Sequence, residues 1–264
     1  MAITERLAVF VLAIAWLAVA GCVEESPRPP VETTAATSET AETAWESDDE
    51  HVPRETLARR TENRRLQKLI LRNARLGDED LAVISGAVEL KELVLPAARI
   101  GDRGLRYLAS LVRLERLDVD GAEVTGEGLQ ALAGLEQLRI LNLHQTRIDA
   151  AGLRHLAAFR KLEMFRAGGP GITDQGVEVL RQLPSLRFVH LMDAPLTDAG
   201  LRHFHEMPQL ESLYLDRVAV TDAGLAALHK ALPQLHIHLD QTHPPGLDHD
   251  HHHDAPPGRG DRPD

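Results

Sequence analysis

An open right-handed α/β solenoid, with parallel strands on its concave face and helices on its convex face, is the fold class this sequence predicts. Three observations predict it. A pattern L-x-x-L-x-L, with Val, Phe or Ala in place of a later leucine in three coils, begins at Leu66 and returns at Leu90, Leu114, Leu138, Leu162, Leu186 and Leu210, each 24 residues after the last. Variants of one phrase, an aliphatic residue, Thr or Gly, Asp and Gly-Leu, follow along the array, so that "PLTDAGLRHF" at Pro195 comes back as "AVTDAGLAAL" at Ala219. Aromatics make up only 3% of a 264-residue chain that is 43% hydrophobic, so the core is aliphatic, as identical stacked coils require.

The chain opens "MAITERLAVFVLAIAWLAVAGC": Arg6, then an apolar run from Leu7 to Ala20, then the only cysteine. A run of that length behind a basic residue reads as the core of a signal peptide over residues 1–21, short of the roughly 20 apolar residues of a membrane span. An uncleaved anchor helix is the competing reading. Val19, Ala20, Gly21 and Cys22 resemble the lipobox of bacterial lipoproteins. The resemblance implies cleavage before Cys22, acylation of that residue, and a protein exported and lipid-anchored to the cell envelope. In some bacteria Val23, in place of Asp, implies sorting to the outer membrane. One cysteine spent on lipid leaves none for disulfides, so packing must hold the fold.

Residues 22–53, rich in Glu, Thr, Ser, Ala and Pro, carry too little apolar surface to offset their ordering entropy and are expected to be a disordered acidic tether. The repeat domain is expected over 54–242. Its N-terminal seal is a helix in "VPRETLARRTENRR", whose basic run Arg54, Arg59, Arg60, Arg64, Arg65 and Lys68 reads as a solvated helix face.

Within each repeat the residues have assigned work. In "LESLYLD", Leu213 and Leu215 alternate with Ser212, Tyr214 and Asp216, the period of a strand with one buried face. In "TDAGLAALHKAL", Leu225, Leu228 and Leu232 fall at helical spacing, with Thr221 or Asp222 placed to cap the helix. Gly224 marks either a close approach between coils or unusual backbone angles. "LPQLHIHLD" supplies a last irregular strand through Ile237 and Leu239. The fifth repeat departs from the rest, with Ala167 in a leucine position and Gly168, Gly169 and Gly171 close behind, and is expected to weaken its coil or kink the curve.

Together the period and the leucine positions resemble the leucine-rich-repeat family, in its ribonuclease-inhibitor-like and F-box-associated subtype, from about Leu66 to Leu239. That resemblance implies a horseshoe that binds a protein or peptide on its concave sheet. No F-box-like helical domain fits before the first repeat, so a role in ubiquitin ligation does not transfer.

Two columns of the concave face follow from the alternation. One reads Ile70, Val94, Asp118, Asn142, Arg166, His190, Tyr214, and the other Arg72, Pro96, Asp120, His144, Gly168, Met192, Asp216. Asp118, Asp120, Asn142, His144, Arg166, His190, Tyr214 and Asp216 are the candidate partner-binding residues, with ordinary solvated positions as the plain alternative. A formal charge of -11 argues against nucleic acid as the partner. "HEMPQ" at His205 fails as H-E-x-x-H because Gln209 replaces the second histidine, and neither a phosphate-cradling loop nor a G-x-S-x-G elbow occurs. No enzyme and no cofactor are expected. The tail, residues 243–264, is expected to be disordered. Its His249, His251, His252 and His253, interleaved with Asp248, Asp250 and Asp254, suit weak Zn²⁺, Ni²⁺ or Cu²⁺ binding, which makes an envelope metal-binding protein the alternative function. Arg259, Gly260 and Asp261 spell an integrin-type tripeptide by coincidence.

Overall fold

Leucines that recur every 24 residues can be dry only if successive coils sit on one another, and that stacking is what the chain adopts. The structure, a computed structural model, describes residues 43–240 apart from 64 and 97. Cys22, the signal segment, most of the tether and the histidine-rich tail lie outside the described residues.

The order of elements is β1 (Ala44–Ser47), α1 (Arg54–Thr61), β2 (Lys68–Leu71), α2 (Asp78–Ile84), β3 (Glu92–Val94), α3 (Asp102–Leu108), β4 (Arg116–Asp118) and α4 (Gly126–Ala131). It continues with β5 (Ile140–Leu143), α5 (Ala150–Leu153), β6 (Met164–Gly168), α6 (Asp174–Val177), β7 (Phe188–Met192), α7 (Asp198–Phe204), β8 (Ser212–Asp216), α8 (Asp222–Ala231) and β9 (His236–Leu239). In the fourth and fifth repeats a 3₁₀ turn, Arg154–Ala158 and Glu178–Gln182, continues the short helix. The nine strands form one parallel sheet in sequence order, so every connection is a strand, a helix and a return. The register is constant: Leu69, Leu93, Leu117, Leu141, Phe165, Val189, Leu213 and Ile237 are consecutive partners across the sheet. All eight point inward and are buried.

Each coil needs the same corner, and the Thr-Asp-x-Gly phrase supplies it through the coil before. Asp198 Oδ1 accepts the Thr221 N–H at 2.8 Å, and its Oδ2 accepts the Thr221 hydroxyl at 2.6 Å. Asp174 grips Thr197, and Asp102 grips Thr125, in the same way. The threonine hydroxyl then accepts the Gly224 N–H and so caps α8. A Cβ at Gly224 would lie 2.2 Å from Asp198 Oδ1, so this glycine serves close approach, and no unusual backbone angle is involved.

Two expectations are corrected. Disorder was expected through Pro53, yet Ala44–Ser47 forms β1, parallel to β2. Trp45 packs against the core beside Leu69's strand, with the Arg60 guanidinium 5.5 Å from its ring, and together with α1, whose Leu57 is buried, it seals the first coil. The fifth repeat was expected to weaken or kink, yet β6 pairs residue for residue with both neighbours. Phe165, where the neighbouring coils have Leu or Val, is as much larger as Ala167 is smaller than the usual residue, and both are fully buried in the same core. Gly171 lets the backbone approach Ile148 O, from which a Cβ would be only 2.2 Å away.

Candidate functional site

Alternation along the strands turns the residues between the core leucines to the opposite face, and the register sets them side by side. Asp118, Asn142, Arg166, His190 and Tyr214 are successive cross-strand partners from β4 to β8, and His238 of β9 follows Tyr214. Asp216 partners Met192, which partners Gly168, and Asp120 and His144 occupy the equivalent positions after β4 and β5. All eight candidate residues thus share one face over five adjacent strands.

Their mutual contacts leave them less open than a freely solvated column. Asp118, Asn142, His144, Arg166 and Asp216 are buried, whereas Asp120, His190 and Tyr214 are half-buried. Asn142 Nδ2 donates to Asp118 Oδ1 at 3.0 Å, and Asn142 Oδ1 accepts the His144 N–H at 3.0 Å. Arg166 donates to Met192 Sδ at 3.5 Å. His190 Nε2 lies 2.7 Å from Asp216 Oδ2, and the Tyr214 ring stacks on His238 at 4.2 Å between centroids. Ile140, Met164 and Phe188 run as an apolar stripe beside this polar column, one per strand from β5 to β7. They are buried but stand apart from the leucine core.

Burial dominates the electrostatics. It pushes the Asp118 carboxyl above the usual carboxylate range, against hydrogen bonds from Asn142 and the Asp120 N–H that favour the ion. It pushes the His190 imidazole below the usual histidine range, against the Asp216 carboxylate that favours the cation. Arg116, at the start of β4, is likewise lowered by burial.

One arrangement here has no precedent in the repeat pattern. Gly168 on β6 has no side chain, and the His144 ring from β5 lies over it: a Cβ there would be 2.6 Å from His144 Cδ2 and 2.5 Å from Met192 O. The ring thereby spans a whole coil. Its Nδ1 is 3.1 Å from Asp120 Oδ1, and its Nε2 faces Asp193 Oδ2, on the loop after β7, at 3.9 Å. A carboxylate oxygen only accepts, so Nδ1 carries the proton toward Asp120. Nε2 has no hydrogen-bond partner among the described residues, and only 7% of the side chain is exposed. Asp193 is held by Arg217, Nε to Oδ1 at 2.6 Å and NH2 to Oδ2 at 2.7 Å, and this guanidinium keeps its carboxyl below the usual range.

Asp193 and Arg217 escape a reading of the strand columns because they lie one residue beyond them, at a turn. Gly121, Gln145, Gly169, Asp193 and Arg217 each follow a strand and each take positive φ. The residue type varies at this position, so only the 24-residue spacing marks it. Among the described residues no three His, Cys, Asp or Glu side chains come together as a metal-holding group. The histidines of the tail, His249, His251, His252 and His253, lie outside the described residues. No described helix is long and apolar enough to cross a membrane.

A family model described as "Leucine Rich repeat" matches residues 114–133, one repeat of the array. No curated protein sequence matches the chain. Among solved structures, an internalin from Listeria monocytogenes is similar over 70% of this chain and 56% of its own, at 22% identity and a TM-score of 0.53. A leucine-rich-repeat protein from Leptospira interrogans is similar over 74% of this chain and 48% of its own, at 17% identity and a TM-score of 0.56. The chain thus spans about half the length of each. With the period, the sheet topology and these likenesses in hand, the fold is that of a leucine-rich-repeat solenoid.

Proposed function

We propose that this chain is an exported, lipid-anchored scaffold that binds a protein or peptide partner on its concave sheet and catalyses no reaction. The observation that carries the reading is the continuous polar column Asp118, Asn142, Arg166, His190 and Tyr214, flanked by the apolar stripe Ile140, Met164 and Phe188. A face with a polar column beside an apolar one suits recognition by shape and hydrogen bonding together. A leucine-rich-repeat fold supports a scaffold role generally, and the partner is expected to be protein.

Anchoring rests on the sequence "VAGC" at Val19–Cys22. Three acyl chains at Cys22, at about 0.8 kcal/mol per buried methylene, would hold the protein stably to a bilayer. The tether would then set the distance of the solenoid from the membrane. A second reading, metal binding by the tail, is favoured by the run Asp248–Asp254, in which four imidazoles stand among three carboxylates.

The test is affinity capture with the repeat domain from an envelope extract, comparing wild type with Tyr214→Ala and Asp120→Ser. These two half-buried side chains can be changed with less risk to folding than the buried Asp118 or Asp216. A partner lost in the variants at unchanged circular dichroism supports the concave face, and equal recovery rejects it. Intact-mass analysis of wild type beside Cys22→Ser decides the anchor.

A further inference from the structure

We infer that His144 is a proton-operated strap, which ties Asp120 to Asp193 along the rim of the sheet and so closes the array over the junction between the coils of β5 and β6.

That junction lacks three bonds that other coils make. At the coil corners, backbone bonds run to the coil before from the N–H groups of Arg99, Glu123, Arg147 and Ala219, at 2.7–3.0 Å. Gly171, the equivalent residue after β6, donates no such bond among the described residues, and Pro195, after β7, has no N–H to donate. At the strand ends, Gly121, Gly169 and Asp193 each donate to a carbonyl of the coil that follows, and Gln145 does not. The grip that Asp102, Asp174 and Asp198 exert on the following coil is missing too, because Ala150 stands in that position. Where the strands begin, the junction is pinned, since Arg139 Nε and Nη2 each donate to Glu163 at 2.9 Å. Where the strands end, none of these bonds holds it.

His144 stands at that loose end. Its ring lies over Gly168 of β6, where a Cβ would come within 2.6 Å of His144 Cδ2. Nδ1 is 3.1 Å from Asp120 Oδ1, one coil before, and Nε2 is 3.9 Å from Asp193 Oδ2, two coils after. The first contact is a hydrogen bond, and the second is too long for one. Proton count decides whether it closes. With one proton, on Nδ1, the ring ties to Asp120 alone and leaves Nε2 buried opposite an ionised carboxylate. With two, the ring is a cation with an N–H toward each carboxylate, and a closure of about 1 Å makes a charge-assisted hydrogen bond to Asp193. Histidine changes charge between about pH 5 and 8, so the strap is made at mildly acid pH and released as pH rises.

The charged groups about the ring allow this. Among the described residues Asp120 forms an ion pair with His144 alone, and Arg217 steadies Asp193 through both of its oxygens. Arg166 on β6 and His190 on β7 are the other basic groups of this face, and a charge on His144 repels one on His190. Burial already holds His190 below the usual histidine range, which keeps that repulsion small, and the carboxylate of Asp216 lies beside it. Asp118 on β4 is separated from the ring by Asn142, which bonds to both residues.

Native-state hydrogen exchange of the full chain, followed at the β6 amides at about pH 6 and pH 8 and corrected for intrinsic exchange, tests the strap. His144→Gln is expected to raise the opening constant of β6 about 5- to 10-fold at pH 6, the worth of one hydrogen bond to a charged group, and less than about 2-fold at pH 8. Asp193→Asn, at a side chain that is 44% exposed, is expected to do the same, and the double variant no more than either alone. His155→Gln, in the 3₁₀ turn after α5, should leave β6 unchanged at both pH values. Imidazole ¹⁵N spectra should show His144 Nε2 gaining its proton over the range in which β6 closes. An effect of equal size at both pH values would make His144 an ordinary packing residue and overturn the strap. No effect at either pH overturns it as well, as does an Nε2 that gains no proton between about pH 8 and pH 5.5. Should His144→Gln fail to fold, Asp193→Asn and the ring spectra decide by the same outcomes.

Discussion

Asp102 reaches from the first turn of α3 into the next coil and takes three hydrogen bonds there, from the Thr125 N–H at 2.8 Å, the Thr125 hydroxyl at 2.6 Å and the Gly128 N–H at 3.0 Å. The same grip recurs from Asp174 to Thr197 and from Asp198 to Thr221, and lapses where Gly126 and Ala150 replace the aspartate. At the lapse the backbones close up instead, Gly126 against Gly152, with no room for a Cβ on either. Coil-to-coil contact is thus made by carboxylates at both ends of the array and by bare backbone in its middle.

Removing one grip should be felt by the whole array. Asp102→Ala leaves two backbone N–H groups and a hydroxyl without their acceptor, and is expected to cost about 2–3 kcal/mol in urea unfolding. A loss below about 0.5 kcal/mol, the size of an ordinary surface change, would mean that the ladder is incidental.

Acid should unfold the protein in two stages. The half-buried His190 is held below the usual histidine range, so the unfolded chain takes up a proton that the folded one refuses. Stability from this group is present above about pH 6.5 and is lost as pH falls below it. Glu46, held down by Lys68, together with Asp193 and Asp198, is depressed in the folded state. Their contribution is present above about pH 4 and disappears as pH falls through their folded values. Urea midpoints measured against pH should fall in both windows, and His190→Asn should flatten the first.

Asp118 has the opposite sign. Burial raises its folded value, so its charge at neutral pH opposes folding, and Asp118→Asn keeps an oxygen for Asn142 while removing that charge. The variant is expected to melt above wild type at neutral pH, with the advantage shrinking as acid protonates the wild-type carboxyl. A lower melting point at neutral pH would show that Arg116 needs this charge more than burial penalises it.

Phe165 and Ala167 are expected to behave as one packing unit. Ala167→Leu alone overfills a closed core and should cost about 1–3 kcal/mol. Phe165→Leu alone leaves a gap beside the small alanine and should also destabilise. Made together they restore the pattern of the other repeats, and a double-mutant cycle should show a coupling of at least about 0.5 kcal/mol in favour of the pair.

Gln145 takes φ of 54° where Gly121 and Gly169 stand in other coils. Its side chain is exposed, so Gln145→Gly relieves strain without removing burial and is expected to raise stability by about 0.5–1 kcal/mol in the same urea assay. Unchanged or lower stability would place the entropy of the added glycine above the strain.

Much of this molecule was readable in advance, and the reason is its one-dimensional order. In a stacked coil the neighbours of a residue lie 24 positions away in sequence, so a column such as Asp118, Asn142, Arg166, His190 and Tyr214 follows from counting, and the sheet register agrees with it. The helical part of the first coil's seal was legible but its strand was not, because "AWES" lies in a segment of disordered composition and becomes a strand only when β2 offers it an edge. The Asp120, His144 and Asp193 arrangement was equally hidden, since it joins coils two apart.

By itself the sequence determined the period, the strand and helix of each coil, the residues facing the core and the residues sharing the concave face, because period and alternation are properties of a single chain. Tertiary structure decided how far those residues are exposed, which of them hold each other, and that an absent side chain at Gly168 lets His144 cross a coil to Asp193. The physical reason is that spacing sets direction along a strand, whereas burial and contact depend on the volume of what lies on the neighbouring coils.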